Sequence, residues 1–203
     1  MTHYSISAIQ EWERFYRANF INCLSGFKSA SLIATIDENG QPNLALFSNI
    51  VHIGADPALV GFINRPKKAA PHTITNIENT KLYTINHIHH SFVAAAHQTS
   101  ARYEAGVNEF DKAGLTMEWK ENCKAPFVQE SRVKYALQLV EIVPITHNNT
   151  FLVIGAVQDI YVDEKIMEED GFLQLEKAGS ICSLGIDGYY QPTLIQRFPY
   201  AKP

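Results

Sequence analysis

Between residues 62 and 80, the stretch FINRPKKAAPHTITNIENT sets Arg65, Lys67 and Lys68 directly after an apolar run and follows them with Thr73 and Asn76. A forked guanidinium, an ammonium group, and a hydroxyl beside the free N–H groups of a starting helix are the donors that hold a phosphate. Charge alone does not separate such a pocket from a solvated basic loop. Upstream, QPNLALFSN carries Asn43, Ser48 and Asn49 among apolar neighbours. Polar groups on an otherwise buried strand need partners, and the edge of a planar, hydrogen-bonding ligand would provide them. The other chemical signals are weaker. NHIHH puts His87 and His89 on one face of a strand with His90 beside them, a spacing open to a metal ion, yet no Glu or further His follows at a supporting distance. Glu109 and Asp111 in NEFD fall short of a paired acid–base arrangement and read as part of a structural or dimer-interface loop. Trp12, Trp119, Tyr189 and Tyr190 read as core or interface aromatics.

These residues sit on a chain whose patterning is dominated by strands. SISAIQEWERFYRANFINCLSG spaces Ile9, Trp12, Phe15, Tyr16 and Phe20 as one packing helix with Ser7 as its N-cap, ending before Gly26. ASLIATIDENGQPNLALFSNIVHIG reads as a strand, a turn at DENG and a second strand. PALVGFIN and KLYTINHI supply two more strands, and the intervening HTITNIEN has Thr73, Thr75 and Asn76 available to cap a helical turn. A helical stretch from about residue 91 to 100 and the loop SARYEAGVNEFDKAGL interrupt the sheet. VKYALQLVEIVPI and NTFLVIGAVQDIYVD resemble long antiparallel barrel strands joined at THNN, and no regular element is assigned to the aromatic, proline-containing tail.

Composition limits the function classes. The 203 residues, 46% hydrophobic and 19% charged, suffice for a substantial core and are expected to form a single domain over 1–203, with an N-terminal helix over 1–25 and a tail over 191–203. A formal charge of −4 gives no general attraction to nucleic acid or to an anionic membrane, so an anion site has to be local. Three widely spaced cysteines without a C-x-x-C motif, and an N-terminus without an apolar signal core, point to a reducing, cytoplasmic setting. No G-x-G-x-x-G follows a strand, so a separate dinucleotide-binding domain is not expected.

SASLIATIDENGQPNLALFSNIVHIGADPALVGFINRP, HTITNI, YTIN, AHQTSARYEAGVNEFDKAGL, FLVIGAVQDIYVDE and GIDGYY, in that order, resemble the flavin reductase-like, FMN-binding split-barrel family over about residues 24 to 190. The resemblance implies a mainly β fold, a six-stranded Greek-key split barrel with flanking helices, and a homodimer with an FMN at each of two clefts near the interface. Carried over by position, it lays NLALFSN along the isoalloxazine and ribityl chain, through the backbone of Leu44, Ala45 and Phe47 and the side chains of Asn43, Ser48 and Asn49. Arg65, Lys68 and Thr73 would hold the phosphate. Asn64 and Asn76 join the cofactor set, Asn76 either bracing the loop or reaching the cofactor. His97 lies where relatives border the flavin cleft and is a candidate for substrate contact, although a capped helix end accounts almost as well for Thr99 and Ser100. His72 stands where many members have Asp, so no role transfers to it. The implied activity is hydride transfer from NADH or NADPH to FMN and onward to free flavin or a redox partner protein, with no protein acid or base essential. A flavoredoxin-like electron carrier and a non-catalytic FMN-binding dimer are the alternatives.

Overall fold

The computed structural model describes residues 1–104 and 106–202. The chain opens with α1 (Ile6–Gln10) and α2 (Arg14–Cys23), then the short β1 (Lys28–Ser29), β2 (Ser31–Ile36), β3 (Pro42–Phe47), β4 (Ile50–Ala55) and β5 (Ala58–Asn64). Helix α3 (His72–Thr80) leads into β6 (Leu82–His87), and α4 (Val93–Gln98) and α5 (Glu109–Ala113) precede the hairpin of β7 (Met117–Lys120) and β8 (Cys123–Val128). The long β9 (Val133–Ile145) and β10 (Thr150–Val162) follow, and β11 (Cys182–Leu184) and β12 (Gly188–Tyr190) come last.

Seven strands form one antiparallel sheet in the order β3-β2-β6-β9-β10-β5-β4. Its two end strands, β3 and β4, are consecutive in the chain and joined only through Ser48 and Asn49. An extended chain reaches at most about 3.5 Å per residue, so the sheet has to curl until its ends approach at this corner. The result is a mainly β, open barrel with flanking helices.

Strand β2 is buried on both faces. Leu32 and Ala34 pack with Leu44, Ile88, Phe92 and Phe110 beneath α4 and α5. Ile33 points the other way, into the barrel, against Phe62, Ile74, Ile77, Tyr83 and Leu137. Fully burying side chains of this size stabilises the fold by about 1.5–3 kcal/mol each. Gly155 on β10 is required by this packing: a Cβ there would lie 2.2 Å from the Tyr83 hydroxyl oxygen.

Several expectations are corrected. The main sheet has seven strands rather than six, because the run expected as one second strand breaks at Ser48–Asn49 into β3 and β4. The N-terminal segment is two helices, not one. Ser5 caps α1 and the Glu13 carboxylate accepts from the N–H groups of Phe15 and Tyr16 to start α2, while Ser7 lies inside α1. No residue of α2 is buried; Trp12 packs edge-on against Tyr4, Tyr16 and Phe20 instead. The loop after residue 100 contains α5, capped by Asn108, and the tail segment contributes β11 and β12, which join β1 in a three-stranded sheet. Helix α3 starts at Pro71 with no side-chain cap, so Thr73, Thr75 and Asn76 do not cap it.

Candidate functional site

A cleft of about 1020 Å³ opens beside β3, at the corner where the sheet fails to close. One wall is β3 with Ser48 and Asn49; a second is the segment from Arg65 to Thr73; a third combines the end of α4 with Glu109 and the β11–β12 turn. Of the sequence-derived candidates, Asn43, Leu44, Ala45, Phe47, Ser48, Asn49, Arg65, Lys68, Thr73 and His97 all line it.

Asn64 and Asn76 do not. Asn64 is fully buried and donates to the carbonyls of Arg65 and Ala70, clamping the loop from behind. Asn76 donates to Thr35 Oγ1 at 3.0 Å. That hydroxyl also accepts from Asn43 Nδ2, which reaches Thr73 Oγ1 at 3.1 Å. Thr73 Oγ1 is thus an acceptor within the buried network, and no group among the described residues accepts its proton.

At the basic corner the two adjacent lysines have different surroundings. Lys67 Nζ binds both carboxylate oxygens of Glu78, at 2.5 and 2.7 Å, and lies over the Phe151 ring. Lys68 and Arg65 line the cleft, and neither pairs with a carboxylate among the described residues. Pro71 and His72 lie at the uncapped start of α3, where the N–H groups of the first turn have no intrahelical acceptor and the helix dipole favours an anion. A cationic fork, an ammonium, a hydroxyl proton and an open helix N-terminus converge here, a donor set that fits a phosphate.

The remaining wall fits a hydrogen-bonding ring edge. Strand β3 pairs with β2 on one side only. Its outward N–H at Leu44 is taken by Glu109 Oε2 at 3.0 Å. By strand alternation the next outward N–H is that of Leu46, which has no partner among the described residues. Asn49 has its amide engaged, exchanging hydrogen bonds with the backbone N–H and C=O of Ile63.

Sequence reasoning missed two cleft features. Glu109, assigned to a loop, is 6% exposed and lies on the cleft wall. Burial pushes its carboxyl above the usual range, opposed by the Leu44 N–H and by His72. Tyr189, read as a core or interface aromatic, lines the cleft and bonds His97 Nδ1 at 2.7 Å; burial and Asp187 push its hydroxyl up. Thr99 and Ser100 donate to the carbonyls of Ala96 and His97, closing the end of α4. Trp12, Trp119 and Tyr190 do not line the cleft, and Trp119 is largely exposed. His87 and His89 serve separate bonds, to Ser180 and Ser91, and no cluster of three metal-ligating side chains occurs among the described residues.

The family model for the flavin reductase like domain matches residues 24–180. The chain belongs to that family. A crystal structure from Shewanella frigidimarina NCIMB 400, provisionally a flavin reductase with a split barrel domain, is 46% identical and superposes with a TM-score of 0.95 over 99% of this chain and 100% of that one. Nitrilotriacetate monooxygenase component B from Bacillus cereus has the same fold at 21% identity, with a TM-score of 0.83 over 98% of both chains. The flavoredoxin of Desulfovibrio vulgaris (Miyazaki F) also shares it, at 20% identity and a TM-score of 0.75, covering 87% of this chain and 92% of that one. A flavin-related oxidoreductase of the split-barrel kind follows from this membership.

Proposed function

We propose that the chain is an FMN-binding oxidoreductase of the flavin reductase type, which takes hydride from NADH or NADPH and passes electrons to free flavin or to a redox partner protein. The observation that carries this reading is the meeting, in one cleft, of a phosphate-type donor set with the open edge of β3. Arg65, Lys68, Thr73 and the first turn of α3 hold the phosphate. Leu44, Ala45 and Phe47 line the ring with their backbone, Asn43 and Ser48 flank it, and Asn64, Asn76 and Asn49 hold the walls in place. His97, bonded to Tyr189, borders the space left for a substrate.

The flavin, when bound, supplies the hydride-accepting and electron-donating chemistry. The protein's part is to fix the cofactor, keep β3 aligned and shield one side of the cleft from water. Two copies are proposed to pair, because Phe15, Tyr16, Leu24 and Phe27 stand exposed near the N-terminus and a second copy would cover them. A cytoplasmic location suits the three free thiols, Cys23, Cys123 and Cys182. No helix among the described residues is long and apolar enough to cross a membrane.

Anaerobic mixing of the FMN-loaded protein with each nicotinamide, followed by visible absorption, tests the reading. Bleaching by NADH or NADPH, and faster reoxidation when free flavin is added, is expected. Bleaching by dithionite alone would favour a carrier, and no uptake of FMN would remove the proposal.

A further inference from the structure

Glu109 has no role in the donor set described above, yet it is the buried carboxylate of the cleft. It stands at the first residue of α5, where the Asn108 side chain caps the helix start. Its Oε2 accepts from Leu44 N–H on the strand that would line the ring. No Lys, Arg or His lies within ion-pair distance of it among the described residues, although His72 is close enough to be felt. Burial disfavours its ionised form, while the Leu44 N–H and His72 favour it; on the alkaline side of its raised pKa the carboxylate is charged and, lacking a paired cation, projects its field into the cleft with little screening.

We infer that Glu109 lowers the electron affinity of the flavin held in this cleft, by placing an unpaired negative charge beside the strand that carries the ring. The inference rests on the flavin reading proposed above. Hydride transfer from a reduced nicotinamide adds two electrons and one proton to the oxidised ring, which becomes one charge more negative as the nicotinamide is oxidised. The phosphate, faced by Arg65 and Lys68, is common to wild type and variants and drops out of the comparison between them. The carboxylate near the ring does not cancel: it opposes the reduced form, lowers the midpoint potential and favours passing electrons onward. Through its bond to Leu44 it also holds β3 in line, which makes it a tuning and positioning residue rather than a catalytic one.

The test is the midpoint potential of the FMN-loaded protein, measured anaerobically against a dye of known potential. Glu109→Gln keeps an acceptor for the Leu44 N–H and removes the charge. It is expected to bind oxidised FMN within about threefold of wild type and reduced FMN about tenfold tighter relative to oxidised, an upward shift of about 30 mV for a two-electron couple. Glu109→Ala should shift the potential the same way, and serves if the Gln variant does not fold. Glu109→Asp keeps the charge and should stay near the wild-type potential. An unmoved or lowered potential in the neutral variants, or an Asp variant that shifts as they do, overturns the inference while leaving the flavin reading intact. A wild-type protein that takes up no flavin removes both, and is recognised by the absence of flavin absorbance after gel filtration.

Discussion

Replacing Arg65 by Ala probes the phosphate corner directly. Arg65 is exposed on the cleft wall and pairs with no carboxylate among the described residues, so its removal strands no buried partner and should leave the thermal midpoint of the apo-protein nearly unchanged. A hydrogen bond to a charged group contributes about 1.5–3 kcal/mol, and solvent exposure confines this one to the lower part, about 1.5–2 kcal/mol. That corresponds to a loss of roughly 12- to 30-fold in FMN affinity. Riboflavin, with the same ring and ribityl chain but no phosphate, should bind variant and wild type alike, and the FMN loss should shrink at high salt. Lys67→Ala is the internal reference. Its ammonium is held by Glu78, so FMN affinity should stay within about twofold. Calorimetric titration of both variants with both ligands is the assay. Equal losses of FMN and riboflavin at Arg65 would refute the phosphate assignment, and a larger loss at Lys67 than at Arg65 would show that the corner is read wrongly.

Other outcomes are open to simple measurements. Gly155→Ala should cost about 1–3 kcal/mol, because its new methyl meets the Tyr83 hydroxyl; the cost should be smaller in a Tyr83→Phe background, which itself should be neutral or stabilising since that buried hydroxyl has no partner among the described residues. A denaturation double-mutant cycle showing strict additivity would contradict the packing argument. Burial pushes His87 down to about 4, against about 6.5 for a free imidazole, so between these values the unfolded chain binds the extra proton and stability falls as pH drops. Up to about 3 kcal/mol should be lost between pH 7 and pH 4, and His87→Gln should flatten that part of the pH–stability curve. If two copies pair as proposed, Leu24→Glu, in the exposed N-terminal face, should convert that dimer to monomer in light scattering with FMN binding measured alongside; a dimer that persists unchanged moves the interface elsewhere.

Much of the barrel is written locally. β2 and β3 are short, largely apolar runs on either side of the DENG turn, and β9 and β10 are long β-branched runs joined by a short polar connection, so composition and punctuation suffice. The break between β3 and β4 is a bend at Ser48, and because apolar residues continue on both sides of Ser48 and Asn49 the local pattern runs straight through it. The α1–α2 break hides in the same way behind aromatics that keep helical spacing on both sides of Glu13. At the site, residue types were legible but their partners were not. Asn76 looks like a ligand contact until Thr35, 41 residues away, takes its amide. Glu109 looks like a loop acid until Leu44, 65 residues away, donates to it. Such pairings depend on which strands become neighbours, which no local spacing encodes.

The placement of the cleft along an unpaired strand edge bears on the behaviour of the empty protein. An edge with a free outward N–H is a template for another chain, and it is also the part of a sheet that opens first. A ligand bonded to β3 on one side and to the segment from Arg65 to Thr73 on the other would act as a stitch across the split. Amide hydrogens of β3 should therefore exchange more slowly once FMN is added, well beyond the residues it touches, and the loaded form should resist aggregation at concentrations where the empty form associates. Cofactor supply would then govern how long the protein persists as well as whether it reacts.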